Sequence, residues 1–161
     1  MKRKLYLHLV SFFFLLASLV TIGTSVTNAS NVMHGPVNAE VISVIDGDTI
    51  NVRARIWLNQ AIQINVRLSG IDTPEIKGKC EEEKQLAKIA YKELLQLIEN
   101  ETIQLYDIRQ GKYSGRILAN IKTLDGVNIN NHLIEKGYAR TYNGGKREGW
   151  CSNNHPSSKV S

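Results

Sequence analysis

The 161-residue chain has only two cysteines, Cys80 and Cys151, and two cysteines alone cannot make a structural zinc site. Neither stands near Ala29, which argues against a lipid anchor at that point. No internal repeat recurs, and no stretch matches an EF-hand calcium loop. A large excess of one charge is missing too. The formal net charge is +5, from 20 basic and 15 acidic residues. Three of the basic residues, Lys2, Arg3 and Lys4, belong to an amino-terminal targeting segment. Without them 17 basic residues face 15 acidic ones, a net charge of +2. Global charge therefore gives no argument for nucleic acid, and only the local placement of arginines can supply one.

The targeting segment is residues 1–29. Met1-Lys2-Arg3-Lys4 is a positive start, Leu5 to Ile22 is almost wholly apolar, and Thr27-Asn28-Ala29 offers small residues at a cleavage position. This is the layout of a secretory signal. The apolar run is also nearly long enough to span a bilayer, so an uncleaved anchor is the alternative. Either way the protein is expected to be exported, to the periplasm or the medium. An oxidising compartment makes a Cys80–Cys151 disulfide the natural expectation. A monomer is expected, with its domain over residues 39–151 and a disordered, Ser/Asn-rich tail over residues 152–161.

Val41 to Ile45 is rich in branched residues and reads as a strand, followed by a tight turn at Asp46-Gly47. Ile50, Val52, Ala54 and Ile56 then alternate with polar residues, as do Ile62, Ile64, Val66 and Leu68. Both are half-buried strands, and Arg67 falls on the polar face. Gly70 to Lys79 reads as loop. Glu81-Glu82-Glu83 reads as the acidic first turn of a helix, favoured by the helix dipole. Leu86, Ala90, Leu94 and Leu97, flanked by Ala87, Tyr91, Leu95 and Ile98, give that helix its apolar face, and Asn100 breaks it. Thr102 to Ile108 and Arg116 to Lys122 are two further strands, and Asn130 to Lys136 is a short helix ended by Gly137. The expected fold is α+β and mainly β: a five-stranded OB-fold barrel with one long and one short helix. By pattern alone a generic α+β domain competes with it.

The chemistry gathers around Asn65 to Glu75. Asp48 begins a strand and Asp72 ends one. With the Thr73 carbonyl they would form a sparse oxygen site for calcium, leaving positions open for a substrate phosphate, with Asp46 behind them. An ordinary hairpin turn is the other reading of Asp46-Gly47-Asp48. Glu75 stands three residues beyond Asp72, within reach of a metal-held water that it could orient or deprotonate. Arg67 and Arg116 are candidate phosphate clamps, because a planar guanidinium matches two phosphate oxygens at once. One donor aimed at the charge developing on those oxygens is worth roughly 3 kcal/mol of barrier.

Ile45-Asp46-Gly47-Asp48-Thr49, Val66-Arg67-Leu68, Gly70-Ile71-Asp72-Thr73-Pro74-Glu75, Gly115-Arg116 and Asn130 to Gly137 follow one another in this order. Over about Ala39 to Tyr142 the chain resembles the thermonuclease (staphylococcal nuclease-like) family. The resemblance implies an OB-fold and calcium-dependent cleavage of DNA and RNA to 3′-phosphorylated products. Carried over by motif, Asp48, Asp72 and the Thr73 carbonyl would ligate calcium. Glu75 would handle the attacking water, and Arg67 and Arg116 would be the catalytic arginines. The chain departs from the family pattern in a longer hairpin between Asp48 and Arg67 and in a short loop carrying Cys80. Gly144 to Cys151 stands in place of a long C-terminal helix, and a Cys80–Cys151 bridge would tether that tail beside the Glu75 loop. Lys112-Tyr113 precedes Ser114-Gly115-Arg116 with one extra residue, and Tyr113 is a candidate for base stacking. The competing function is a noncatalytic OB-fold module binding single strands through Arg53, Arg55 and Arg67.

Overall fold

The computed structural model describes residues 31–112 and 114–151. The expected signal segment, the tail after Cys151 and the stacking role of Tyr113 fall outside the described residues. In chain order the strands before the long helix are β1 (Val32–Met33), β2 (Val37–Asp46), β3 (Thr49–Trp57), β4 (Gln60–Leu68) and β5 (Ile71–Asp72). Then come α1 (Glu81–Ile98), β6 (Thr102–Gln110), β7 (Arg116–Thr123), α2 (Ile129–Glu135) and β8 (Arg140–Thr141).

Five strands close on themselves. β2, β3 and β4 form an antiparallel meander, β6 and β7 a second antiparallel pair, and β2 pairs with β6. A parallel pairing of β4 with β7 completes the ring. This is the expected five-stranded barrel, mixed because β4 and β7 run parallel, and closure leaves none of the five as a bare edge. The alternation in β3 and β4 sends Ile50, Val52, Ala54, Val66 and Leu68 inward, all buried, where they meet Ile103, Leu105, Ala119 and Ile121. Every residue between them faces outward, so the register that buries the core also fixes where the polar residues stand.

Helix α1 closes one end of the barrel. Its Cys80 N-cap sulfur accepts from the Glu83 amide, and Asn100, at φ 59°, turns the chain after its last residue. The buried stripe runs through Glu83, Ala87, Ala90, Leu94 and Ile98, while Leu86 and Leu97 are only half-buried. The face is thus rotated from the expected one, because small Ala87 and Ala90 permit the closest approach. Gly137, at φ 74°, ends α2: its amide and that of Tyr138 return to Ile134 and Leu133.

Two expectations need correction. Gly70 to Lys79 is not all loop, since Ile71–Asp72 pairs antiparallel with Arg140–Thr141. The expected start of the domain at residue 39 also moves, since Val32–Met33 pairs with β6 and β2 begins at Val37. Both pairings are two residues long and join distant parts of the chain, too short for a periodic signal. Cys80 and Cys151 form the expected disulfide, with their Cα atoms 6.0 Å apart.

Candidate active site

The turn between β2 and β3 and the far end of β4 are brought together by strand register. Thr49 lies opposite Arg67, and the Leu68 amide donates to the Asp48 carbonyl at 2.8 Å. Arg67 therefore points along the barrel wall at Asp48. Its Nη1 donates to Asp48 Oδ1 at 2.8 Å, and its Nη2 stands 2.6 Å from Oδ2. The Thr49 hydroxyl gives Asp48 Oδ1 a second donor at 2.9 Å. Gly47 lets this turn press against Ala90 and Thr73, since a Cβ there would come within 3.0 Å of both.

Asp72 enters from β5 and is 1% exposed, against 2% for Asp48. Its Oδ2 accepts from Arg140 Nε and Nη2 at 3.2 and 2.9 Å and from Trp150 Nε1 at 3.1 Å. Its Oδ1 faces Arg147 Nε at 2.9 Å and Arg67 Nη2 at 3.9 Å. Arg147 also pairs with Glu75 through Nη1. Thr73 is buried next to Asp72. Glu75 stands half-exposed at the mouth of the cleft, and the loop carrying it is organised from below by Glu83. The buried Glu83 carboxylate accepts the Lys79 amide at 2.9 Å and the Glu75 amide at 3.5 Å. Gly78 has no room for a side chain beside it, because a Cβ would fall 2.5 Å from Glu83 Cγ.

These groups share an open cleft of about 690 Å³, lined by Asp46, Thr49, Arg67, Glu75, Arg116 and Arg147 together with Lys112 and Tyr142. The parallel β4–β7 pairing seats Arg116 there, opposite Asn65. Of the residues singled out in the sequence, Asp46, Arg67, Glu75, Lys112 and Arg116 line the cleft, Asp48 and Asp72 adjoin it through Arg67 with Thr73 next to Asp72, and Arg53 and Arg55 lie apart. Sequence reasoning missed four others: Arg140, Arg147, Trp150 and Glu83. Glu83 carried one available signal, its position on the same helical stripe as Ala87 and Ala90. The three tail residues carried none beyond the neighbouring Cys151.

The electrostatics are those of crowded carboxylates. Burial, joined by the charges of Asp48 and Glu75, lifts Asp46 to about 6 against the opposing Gly47 amide bond. Burial also raises Asp48, against the pull of Arg67 and the Thr49 hydroxyl. Burial works against the Arg147 charge, but the Glu75 hydrogen bond and the Asp72, Glu75 and Asp48 charges outweigh it and hold its proton more firmly than usual. Asp48 Oδ2 and Asp72 Oδ1 are buried without a hydrogen bond of good geometry, although each stands at ion-pair distance from a guanidinium. Asp48 Oδ2 and Asp72 Oδ1 are hard oxygen donors of the type calcium takes, and an ion there would replace the guanidinium groups now beside them. A second ligand-type cluster, Cys80, Glu83 and Cys151, has both sulfurs joined in the disulfide and is not a metal centre.

Carboxylates and arginines thus share one cleft at the end of β4 of a closed barrel. The family model for staphylococcal nuclease homologues matches residues 65–155, and the chain belongs to that family. Two curated relatives are similar over 111 residues, at 27% and 26% identity. Each is named an uncharacterized endonuclease, one from Escherichia coli and one from Escherichia coli O157:H7. The aligned stretch covers 69% of this chain and 65% of each relative, so the chain spans just under two thirds of their length.

Proposed function

We propose that the protein is an exported, calcium-dependent phosphodiesterase that hydrolyses DNA and RNA to 3′-phosphorylated products. The observation that carries this reading is the convergence of Asp48, Asp72, Glu75, Arg67 and Arg116 on one cleft. The family match and the endonuclease names of the relatives support the same class of reaction. A disulfide suits export, because such bridges persist in oxidising compartments.

Asp48, Asp72 and the Thr73 carbonyl would hold calcium, with Asp46 behind them, and the ion would acidify water and offset phosphate charge. Arg116, and Arg67 once its tie to Asp48 is shared with a substrate, grip the phosphate and stabilise the charge that grows on its oxygens. Glu75, half-exposed at the mouth, takes the proton from the attacking water. The water oxygen bonds to phosphorus as the bond to the 5′-oxygen breaks. That oxygen leaves with a solvent proton, and the phosphate stays on the 3′ side. A module that only binds single strands through Arg53, Arg55 and Arg67 has no use for buried acids beside the phosphate, and here Arg67 is turned onto Asp48.

Cleavage of single-stranded DNA by the purified protein, with calcium and then with excess chelator, tests the reading. Cleavage is expected to need calcium, and Glu75→Gln is expected to lower it by roughly 10²–10⁴-fold. Binding of the strand without cleavage in any divalent metal would move the weight to the noncatalytic module.

A further inference from the structure

Asp72 takes its partners from a segment that lies outside the motifs. Three of its donors approach Oδ2 from Arg140 and Trp150, while Oδ1 has no strong hydrogen bond and faces the guanidinium groups of Arg147, at 2.9 Å, and Arg67, at 3.9 Å, which a cation would displace. The donors are themselves locked. Trp150 is 4% exposed, and the Arg140 guanidinium lies 4.3 Å from the centre of its ring. Arg140 also donates to the carbonyls of Gly149, at 3.2 Å, and Glu148. A carboxylate held this way on one oxygen cannot rotate, so the other keeps one direction. Outer donors of this kind set the orientation of metal-binding carboxylates.

Residues 142–151 have no strand or helix of their own to keep Trp150 in place. The segment is fastened at its ends. The Tyr142 amide donates to the Gly70 carbonyl at 2.9 Å, and Cys151, next to Trp150, is bonded to Cys80 at the start of α1. Cutting the second tie leaves the end that carries the indole to noncovalent contacts alone, those of Arg140 with the Gly149 and Glu148 carbonyls and of Arg147 with Glu75.

We propose that Trp150 and Arg140 are positioning residues for Asp72, and that the Cys80–Cys151 bridge, by docking them, makes divalent-cation affinity depend on oxidised cysteines. The inference rests on the reading of Asp72 as a metal ligand. A dithiol reductant would deliver two electrons and two protons to the bridge. Cys80 and Cys151 become thiols, and the reductant becomes a disulfide.

The test is calorimetric titration of calcium into the full chain, oxidised and after dithiol treatment, for the wild type, Trp150→Phe and the double variant Cys80→Ser/Cys151→Ser. Phenylalanine keeps an aromatic ring beside Arg140 and removes the N–H donor together with part of the buried ring area. Trp150→Phe is expected to weaken calcium binding roughly 10- to 100-fold, the usual cost of losing an outer donor at a metal site. Its unfolding midpoint in chelator is measured alongside, and the titration is run well below that midpoint, which separates orientation from folding. Dithiol is expected to weaken the wild type by a similar factor. The double variant should start weakened and not respond to dithiol. Unchanged calcium binding in both Trp150→Phe and the reduced wild type overturns this inference while leaving the metal site in place. An oxidised wild type that binds no calcium overturns the metal reading, and this inference with it.

Discussion

Asp48 and Asp72 are almost equally buried, at 2% and 1% exposure, yet they are held in opposite ways. Asp48 belongs to the barrel wall. Its guanidinium partner sits across the β3–β4 ladder, one residue from its own carbonyl's hydrogen bond, so the backbone that builds the core also aligns the ion pair. Asp72 belongs to a two-residue strand, and its partners come 68 to 78 residues later in the chain. Side chains and one covalent tie hold them. The difference teaches where each half is vulnerable: the wall through its packing, the strap through its attachments.

The sharpest way to break the comparison is to remove one arginine from each half. Arg67→Met leaves buried Asp48 without its main partner and is expected to cost about 3–5 kcal/mol in denaturant unfolding. Arg147→Met is expected to cost less, about 1 kcal/mol, since its pair with Glu75 is partly exposed and buried Asp72 keeps Arg140 and Trp150 on its other oxygen. Equal losses would mean that the two halves are held alike. Next comes the tether itself. The bridge spans 71 positions, and by the chain-entropy argument Cys80→Ser/Cys151→Ser is expected to lose up to about 4 kcal/mol, read from the same unfolding curves.

A smaller effect tests the wall away from the carboxylates. Buried Asn130 receives the Ile121 amide at 3.1 Å and donates to the Ser69 carbonyl at 2.8 Å, fastening α2 to β7 and to the end of β4. Asn130→Ala strands both groups and is expected to cost about 1–3 kcal/mol. Calcium affinity per folded molecule should hold. A fall in affinity would show that the wall reaches the site through α2 as well as through the strands.

The smallest effect lies at the barrel edge and depends on pH. The hydrogen bonds of Asp107 to His34, at 3.1 Å, and Asn120, at 3.0 Å, pull its carboxyl below the ordinary range. A folded value below the unfolded one makes its stabilisation complete above about pH 4, the unfolded value, and removes it as pH falls through the folded value. Asp107→Asn tolerates the φ of 48° at this position and should unfold more readily than wild type at pH 6. The gap should close on acidification. A gap that persists at low pH would place the effect in packing.

The wall was largely legible in the sequence and the strap was not, for physical reasons. Alternation over Ile50 to Ala54 and Ile64 to Leu68 told which residues face outward, whereas Ile56 and Ile62, read on the buried face, are exposed near the tip of the β3–β4 hairpin. Once those two strands pair, Arg67 must stand near Asp48. Asp72, Thr73 and Glu75 were readable because they are close in the chain. Arg140, Arg147 and Trp150 obey no period, and their roles arise only when β5 and β8 meet. Glu83 looked like an ordinary acid at a helix start, where the dipole favours it. Its burial under the Glu75 loop depends on Gly78 leaving it space. The disulfide was readable from compartment chemistry, but nothing in it announced that the next residue's indole would reach Asp72.

The distance along the chain between β5 and the donors that satisfy Asp72 sets an order of events. A polypeptide emerging amino terminus first presents its acids and Arg67 well before residues 140–151 exist to meet them. Contacts so far apart in sequence form late, after the local meander has its strands. A chain still in passage therefore carries a half-built centre, and a cysteine pair not yet joined leaves it half-built. On the proposed reading of an exported nuclease, the cell that makes the molecule meets only its weaker, unbridged form until the last tie closes.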